Sequence, residues 1–407
     1  MGYADPLVGR DLLWSLSLSF VVLCAFSVIT LVEQDHYGNN YVRSGQQFSR
    51  LHEDEAGNWS GLNLPDDSPL RPARYGRRRC LESSQGLLEF NSTSCQMLRK
   101  DILDVKVLTE VKTSELFERW RNLQVCQWEQ NKVESNNLSV SLSESCNASS
   151  FLFTTKRNTP SGTKLRYETD GAVLIKPQIF NMFPDDMPYS RSEFKRCAVV
   201  GNGGINLNSQ CGNEIDSADF VFRCNIPPIS DEYSADVGSR TDFVTINPSI
   251  LIGRFQSLDK WRLPFYKHLQ SYQNASIVLP AFYNRINTDV SFRVKYTLDD
   301  LGSPHDVVFF HTKYLLNVQR FWALQGIHAK RLSTGLMLVS AAMELCEEVH
   351  LYGFWPFPTN PAGDLITHHY YDNVKGRPGF HAMPEELFNF MQMHARGILH
   401  LHTQPCC

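Results

Sequence analysis

Residues 197–204 have the sequence CAVVGNGG, a short apolar run that leads directly into a glycine-rich turn. Such a turn after a buried strand lets backbone N–H groups approach a phosphate or a nucleotide. The dinucleotide fingerprint GxGxxG is incomplete, because Gly201 and Gly203 fit it but Asn206 stands at the third glycine position. The segment therefore predicts a strand and a turn, and a purely structural turn stays open as the alternative to a nucleotide site.

Further apolar runs alternate with helical segments after residue 197. They are rich in Val, Ile and Phe without strict alternation, as expected of strands buried on both faces of a parallel sheet. With Cys197–Val200, the runs are Phe220–Phe222, Asp242–Ile246, Ile277–Leu279, Val307–Phe310 and Val349–Tyr352. Helices are predicted over Thr334–Glu347 and over Pro384–Arg396, the second ending before Gly397. This order predicts an α/β fold with a mainly parallel central sheet flanked by helices.

The chain before residue 197 is less regular. Residues 95–130 predict a helical stretch, because apolar residues recur there at short helical steps. These residues are Leu98, Ile102, Val105, Leu108, Val111, Leu116 and Trp120. Residues 131–195 are mixed in character, and we expect them to be rich in loops.

An uncharged apolar run occupies residues 12–32. A helix rises about 1.5 Å per residue, so a run of this length spans the roughly 30 Å hydrocarbon core of a bilayer. Arg10 precedes the run and acidic residues follow it, which places a tail of residues 1–11 in the cytosol and the rest in the lumen. A cleaved signal peptide is the alternative, although the run is longer than the usual apolar region of about 7–15 residues.

The segment after this run is expected to be a stem. Residues 33–90 are rich in Gly, Ser, Asn, Pro and charged residues and show no lasting periodicity. The lumenal domain that carries function is then expected over residues 91–407. Sequons for N-glycosylation support a lumenal location. They lie at Asn58, Asn91, Asn137, Asn147 and Asn274.

Composition argues against structural zinc sites and against nucleic-acid surfaces. Ten of the eleven cysteines follow the apolar run, and none forms a CxxC pair with zinc-site spacing. Disulfides are therefore the better interpretation in an oxidising compartment. The formal net charge is −4, with both signs mixed along the chain. Nucleic acid is disfavoured as a partner, because binding it needs a concentrated basic surface.

Two polar segments are candidates for chemistry. Residues Ser333, Thr334 and Gly335 open a predicted helix, whose free N–H groups and dipole favour an anion, although an ordinary N-cap without a ligand is the commoner case. Histidines cluster in His368–Asp372, with His381 nearby. No HExxH or Asp-x-Asp pattern accompanies them, so acid–base chemistry is favoured over a metal site.

These segments together resemble the four motifs of the animal sialyltransferases, glycosyltransferase family 29. Residues 197–247 resemble the long motif and residues 330–354 the short motif. The third motif is matched by His369-Tyr370-Tyr371-Asp372, and the very short motif H-x-x-x-x-E by His381 with Glu386. The resemblance covers residues 95–407. Within the family the chain is most similar to the α2,8-sialyltransferases of the type V ganglioside group, although its stem is longer and contains the extra Cys80.

The resemblance implies a variant of the nucleotide-sugar transferase fold, GT-A-like and Rossmann-type, held in the Golgi membrane by one N-terminal helix. The implied donor is CMP-sialic acid, and the implied acceptor is a sialylated glycolipid or glycoprotein. No metal cofactor is expected, because CMP carries a single phosphate that N–H groups, hydroxyls and a histidine can stabilise. The implied reaction inverts the anomeric centre and forms an α2,8 linkage, and the implied acceptors are gangliosides.

The resemblance also implies roles for individual residues. His381 is the expected general base, His369 the expected contact to the departing phosphate, and Glu386 is expected to orient or cap its own helix turn. The expected contacts to CMP-sialic acid are Asn202, Asn225, Ser333, Thr334, Gly335, Gly353, Phe354 and Trp355. The implied disulfides join Cys197 to Cys346, and Cys211 to either Cys406 or Cys407.

Several alternatives stay open at this point. They are a sialyltransferase of another linkage or acceptor class, a non-catalytic Golgi glycan-binding relative and, disfavoured by Asn206 and the anchor, a Rossmann oxidoreductase. The length of the product is a separate expectation. Polysialylating members carry a basic stretch before the long motif, whereas residues 165–196 contain five cations and five acids. We therefore expect the addition of one or a few sialic acids, because no electrostatic track for a polyanion is present.

Overall fold

A computed structural model describes residues 87–189, 194–374 and 379–406. The predicted tail, apolar run and nearly all of the predicted stem lie outside these residues. Within the described ranges, no helix is both long enough and apolar enough to cross a membrane.

The core of the fold is a seven-stranded sheet. A small antiparallel hairpin, β1 (Lys164–Arg166) with β2 (Ala172–Leu174), precedes it. The strands of the sheet are β3 (Phe194–Val200), β4 (Phe220–Arg223), β5 (Phe243–Thr245), β6 (Ser276–Leu279), β7 (Val307–Phe309), β8 (Cys346–Tyr352) and β9 (His400–His402). Their order is β7-β6-β5-β4-β3-β8-β9, and every neighbouring pair is parallel. All six predicted strands are confirmed. The sequence pattern did not predict β9, which lies at one edge of the sheet.

Helices pack on both faces of this sheet. In chain order they are α1 (Thr93–Leu103), α2 (Thr113–Leu123), α3 (Lys132–Ser145), α4 (Ala148–Phe151), α5 (Pro177–Phe180), α6 (Gly212–Asp216), α7 (Asp231–Val237), α8 (Pro248–Gly253), α9 (Arg262–Leu269), α10 (Arg285–Asp300), α11 (Thr312–Leu324), α12 (Thr334–Leu345) and α13 (Met383–Arg396). Val308 of β7 packs in the core that contains α12, whereas Val307 and Phe309 pack in the core that contains α10. Successive strand residues point to opposite faces, so both faces are buried and the apolar runs need no polar alternation.

Three predictions about helices need correction. The stretch 95–130 is two helices, α1 and α2, separated by a 3-10 turn at Leu108–Glu110. Within the supposed loop region lies α3, a 14-residue helix with Leu142 as its only fully buried residue. Its polar sequence carries almost no apolar periodicity, so the pattern could not reveal it. Helix α12 ends at Leu345 rather than Glu347, because Cys346 already begins β8.

Three disulfides lie in the described residues. The implied pair Cys197–Cys346 joins β3 to β8, and Cys211 bonds to Cys406, which resolves the choice left by the sequence. A third bond, Cys95–Cys126, was not predicted and links α1 to the segment after α2. Bonds that close loops of this length typically stabilise a fold by about 2–4 kcal/mol each. Two buried cysteines, Cys146 and Cys224, are free thiols, whereas Cys80 and Cys407 lie outside the described residues.

Candidate active site

The candidate site lies at the carboxyl edge of the parallel sheet. Asn202 follows β3, Asn225 follows β4, Asn247 follows β5 and Gly353 follows β8. In a parallel sheet these strand ends meet on one edge, which is where α/β proteins bind ligands. The long and short motifs, separated by more than 80 residues in the chain, therefore converge on one region.

The glycine turn after β3 is shaped by protein packing. A Cβ atom on Gly203 would lie 2.6 Å from the Gly353 carbonyl oxygen, and one on Gly204 would lie 2.0 Å from that of Thr367. Gly353 itself has φ +74°, a conformation that favours glycine. The Asn206 side chain donates to the Gly201 carbonyl at 3.0 Å, so an asparagine closes the turn where the fingerprint has its third glycine. These close approaches support the structural interpretation of the turn.

The asparagines at the strand ends form a hydrogen-bonded row. Asn202 donates through Nδ2 to the Cys224 carbonyl at 2.9 Å. Its Oδ1 is buried and finds no hydrogen-bond partner within the described ranges. Asn225 has a left-handed backbone, φ 63°, and its Oδ1 accepts the Asn247 amide at 3.1 Å. Since buried acceptors rarely stay unsatisfied, Asn202 Oδ1 is suited to receive a donor from a ligand.

The start of α12 joins this row. The Thr334 hydroxyl donates to Asn247 Oδ1 at 3.2 Å. Ser333 is the N-cap, because its hydroxyl accepts the Leu336 amide at 3.1 Å. The first N–H groups of a helix have no partner inside the helix and carry the positive end of its dipole. The start of α12 therefore lies against the strand ends, with the positive end of its dipole at the candidate site.

Glu386 fastens this helix start to α13. Its carboxylate accepts the Ser333 amide at 2.9 Å and also the Ser333 hydroxyl. The carboxyl group is buried, and burial raises its pKa. The prediction that Glu386 orients or caps its own turn is thus refined, because its partner is the N-cap of a different helix. The Ser333 amide and hydroxyl are both occupied by this contact.

His369 lies on a loop that crosses the glycine turn. The Tyr370 amide donates to the Asn202 carbonyl at 3.0 Å, and His369 bridges to Gly203. Its Nδ1 bonds to Asp372 Oδ1 at 2.6 Å, and the Tyr371 ring stacks on it with centroids 5.2 Å apart. Because a carboxylate only accepts, Nδ1 carries the hydrogen and Nε2 is the nitrogen turned away from the aspartate. Asp372 therefore orients the imidazole.

His381 is held by a backbone carbonyl. Its Nδ1 lies 2.8 Å from the Arg331 carbonyl oxygen, two residues before the N-cap of α12. A carbonyl can only accept, so Nδ1 is the protonated nitrogen and Nε2 carries a free electron pair. The ring is half-buried, and burial lowers its pKa. The hydrogen bonds to the Arg331 and Leu332 carbonyls act in the opposite direction and favour the charged ring, but burial is the larger effect. Burial therefore favours the neutral imidazole, which is the form that can take a proton.

The aromatic residues after β8 separate into two environments. A Cβ on Gly335 would lie 2.6 Å from the Phe354 ring, so Phe354 covers the first turn of α12. Trp355 is buried instead, with its ring centroid 4.8 Å from that of Phe117 and its indole N–H donating to Thr359 at 2.6 Å. Phe354 thus borders the candidate site with its side chain, whereas Trp355 borders Gly203 through its backbone.

Sequence reasoning missed the partners that orient these residues. Asp372 was visible in the third motif, three residues after His369. Arg331 carried no signal, because a backbone carbonyl acceptor cannot be recognised from residue type. Asn247 was not singled out either, because its contacts to Asn225 and Thr334 form only in the folded chain. Of the sequons, Asn91, Asn137 and Asn274 are exposed, whereas Asn147 caps α4 by accepting the Ser150 amide at 3.0 Å. Asn58 lies outside the described residues.

Clusters with metal-ligand chemistry lie elsewhere in the described chain. His350, His400 and His402 place ligand atoms within 4.8 Å of one another, as do Glu214, His402 and Cys406. Cys406 is consumed by its disulfide. An Arg196 nitrogen lies 2.7 Å from Glu214 and therefore already supplies a positive charge to this group. Neither His369 nor His381 belongs to these clusters.

Comparisons with known proteins find sialyltransferases. Alpha-2,8-sialyltransferase 8E of Mus musculus is 57% identical over 409 residues, covering 100% of this chain and 99% of the relative. Alpha-N-acetylneuraminide alpha-2,8-sialyltransferase of Xenopus tropicalis is 46% identical over 281 residues, 69% of this chain and 81% of the relative. A crystal structure of a mammalian sialyltransferase aligns over 75% of this chain and 95% of its own, with 20% identity and a TM-score of 0.37.

The family comparison matches the motif analysis directly. The model of glycosyltransferase family 29 (sialyltransferase) matches residues 143–398, which contain all four motif segments. The expected similarity to α2,8-sialyltransferases is confirmed by the relatives named above. The chain belongs to glycosyltransferase family 29, the sialyltransferases.

Proposed function

We propose that the chain transfers sialic acid from CMP-sialic acid to a sialylated glycan, with inversion, and forms an α2,8 linkage. The names of its close relatives support the linkage. The observation that carries the chemistry is the contact between His381 Nδ1 and the Arg331 carbonyl, which leaves Nε2 unprotonated beside the start of α12. A base is required there, because the acceptor hydroxyl must lose its proton as it attacks.

The reaction is a single displacement. The acceptor oxygen forms a bond to the anomeric carbon of sialic acid while the bond from that carbon to the CMP phosphate oxygen breaks. The hydroxyl proton moves to His381 Nε2, and CMP leaves with the electron pair. Attack opposite the leaving group inverts the centre. Positioned general bases typically contribute about 10²–10⁴ to such a rate.

The donor is proposed to lie along the carboxyl edge. Thr334 and Gly335 present the first amides of α12 to the phosphate, and Ser333 supports them through Glu386. His369, oriented by Asp372, contacts the departing phosphate. The remaining contacts to CMP-sialic acid are Asn202, Asn225, Gly353, Phe354 and Trp355. Fixed donors at the place where negative charge develops stabilise the transition state without reorganising.

We propose that the reaction needs no metal. The leaving CMP carries one phosphate, and the helix start supplies N–H donors to it. His369 can donate to the phosphate from Nε2 when its ring is protonated on both nitrogens, a state that Asp372 stabilises. The fold is proposed to be a variant of the nucleotide-sugar transferase fold. The chain is proposed to act in the Golgi lumen, anchored by residues 12–32. Glycosylation is proposed at the sequons of this lumenal part.

Gangliosides are the proposed acceptors, and short products are proposed because residues 165–196 are electrically balanced. Sialylated glycoproteins are the second candidate. The test is to incubate the full chain in detergent with CMP-sialic acid and with matched panels of sialylated and desialylated lipids and glycoproteins, and to determine the product linkage. We expect α2,8-linked product on sialylated lipids. Transfer to desialylated acceptors alone, or another linkage, would refute the proposal.

A further inference from the structure

A cavity of about 380 Å³ lies beside the candidate active site. The residues that matter here are Glu168, Thr169, Tyr283, Arg320, Lys330 and Arg331. Tyr283 belongs to the turn that follows β6, and Lys330 and Arg331 lead into α12. The cavity is therefore at the carboxyl edge of the sheet, on the β6 side of the start of α12. None of the sequence motifs pointed to it as a binding site.

A buried ion pair builds one wall of this cavity. The Arg331 guanidinium donates to both Glu168 oxygens, at 2.9 and 2.8 Å, and the side chains are only 8% and 5% exposed. The guanidinium carbon also lies 4.8 Å from the centre of the Tyr283 ring. Burying two charges is costly unless their geometry is good, and a bidentate pair meets that condition. The wall is thus fixed before any ligand arrives.

The same residue connects the cavity to the proposed base. The Arg331 carbonyl holds His381 Nδ1 at 2.8 Å, while the Arg331 side chain lines the cavity. Two residues further on, Ser333 caps the helix that is proposed to bind the donor phosphate. An extended chain advances at most about 3.6 Å per residue, so Arg331 and Ser333 lie within about 7 Å of each other. Arg331 therefore links one wall of the cavity to the proposed base and to the helix start.

The rim of the cavity is positively charged. Arg331 and Glu168 neutralise each other, whereas Arg320 and Lys330 are exposed and add two cations. The Gln319 side chain donates to the Ala329 and Lys330 carbonyls at 3.5 and 3.3 Å, which positions Lys330 against α11. A rim with two exposed cations favours an anionic ligand group such as a carboxylate.

We propose that this cavity binds the carboxylate of the acceptor's terminal sialic acid, and that Arg320 and Lys330 contact it while the 8-hydroxyl of the same sugar reaches His381. The proposal rests on the proposed function, because an acceptor without sialic acid would have no carboxylate to bind. It makes the cavity the element that selects sialylated acceptors. The carboxylate and the 8-hydroxyl belong to one sugar, which matches a cavity that shares Arg331 with the base.

The test uses two acceptors that differ only at this carboxylate. One is a sialylated glycolipid, and the other is the same lipid with the sialic acid carboxylate converted to its amide. Kinetics are measured for the full chain, for Arg320→Gln, for Lys330→Gln and for the double variant. Lys112→Gln removes an exposed cation far from the cavity in sequence and serves as the charge control. The KM for CMP-sialic acid is measured for each protein.

We expect the double variant to raise the KM for the carboxylate acceptor about tenfold, as befits a lost charge-assisted contact, with kcat within about twofold. The amide acceptor should bind all proteins equally poorly, and the KM for CMP-sialic acid should not change. An equal effect on both acceptors, no effect, or an effect shared by Lys112→Gln would overturn the inference. If the unmodified chain transfers sialic acid to neither lipid, the proposed function is refuted. If it transfers but the variants show no selective effect, only the inference about the cavity is refuted.

Discussion

Two groups of histidines in this chain have opposite environments. His369 and His381 lie at the carboxyl edge, and each has one ring nitrogen held by an acceptor. His394 lies before β9 and is buried, and His400 and His402 lie in β9 and are partly buried against other rings. Burial lowers the pKa of His394 to about 3 and that of the other two well below the usual value. Residue type is the same in both groups, so the environment decides which histidines can exchange protons with a substrate.

The second group of histidines makes its contacts inside the protein. His350 Nδ1 and His402 Nε2 bond to each other at 2.9 Å. The Trp128 ring stacks on His400 at 4.7 Å, and His394 accepts the Leu401 amide at 3.1 Å. These rings serve as core residues with internal partners. A histidine that acts on a substrate must instead keep one nitrogen directed at the ligand.

The largest effect on turnover is expected from substitution of His381. Replacement by alanine should lower kcat by about 10²–10⁴, because the proton of the acceptor hydroxyl loses its receiver. The Kd for CMP, measured by calorimetry, should change little, since the donor contacts lie elsewhere. Near-normal turnover would show that another group is the base.

A smaller effect is expected at Asp372. Asp372→Asn retains the shape but removes the carboxylate that orients His369, and we expect kcat to fall about 10–100-fold, the usual value of a hydrogen bond to a charged group. Steady-state kinetics with a saturating acceptor provide the measurement. Asp289→Asn, on the exposed surface of α10, is the matched control and should have no effect. An unchanged rate in Asp372→Asn would remove the orienting role.

The buried histidines should affect the free energy of unfolding rather than the catalytic rate. His394 has a folded pKa of about 3 against an unfolded value near 6.5, so the unfolded chain binds more protons between these values. Stability is therefore retained above pH 6.5 and lost as pH falls, by about 1.4 kcal/mol per pH unit for each such histidine. Chemical denaturation at pH 7, 6 and 5 measures the loss. A midpoint that is constant over this range would contradict the assignment.

The carboxyl group of Glu344 should make the free energy of unfolding fall as pH rises, the opposite of the effect of the histidines. Burial raises the pKa of Glu344 to about 7, although hydrogen bonds from the Ala148 amide and from Tyr314 act to lower it. Its contribution is fully present below pH 4.5 and is lost as pH rises through 7. Glu344→Gln should stabilise the protein at pH 8 by about 1 kcal/mol and have little effect at pH 5. Equal effects at both pH values in thermal unfolding would refute this.

Chelation should have the smallest effect. EDTA is expected to leave transfer unchanged, because the proposed phosphate contacts are amides of α12 and His369. The assay compares initial rates before and after chelation. A loss that only manganese or magnesium restores would require a cation at the site.

The sequence predicted those parts that depend on local pattern. The six strands were identifiable because both faces of the sheet are buried, and the two site histidines lie in motifs at its carboxyl edge. Helix α3 was missed because its surface is polar almost all round. The contacts from Glu386 to Ser333 and from His381 to Arg331 could not be predicted, because they join elements about 50 residues apart and use backbone groups. Such partners become visible only once the chain is folded.

The most direct test places one histidine from each group in the same assay. His381→Gln and His402→Gln are compared at pH 7 by kcat per folded molecule, with the exposed His328→Gln as the control. The account predicts that His402→Gln unfolds more easily but turns over at nearly the normal rate once folded, whereas His381→Gln stays folded and loses at least about 100-fold in kcat. Equal losses in the two variants would contradict the claim that environment separates catalytic from structural histidines.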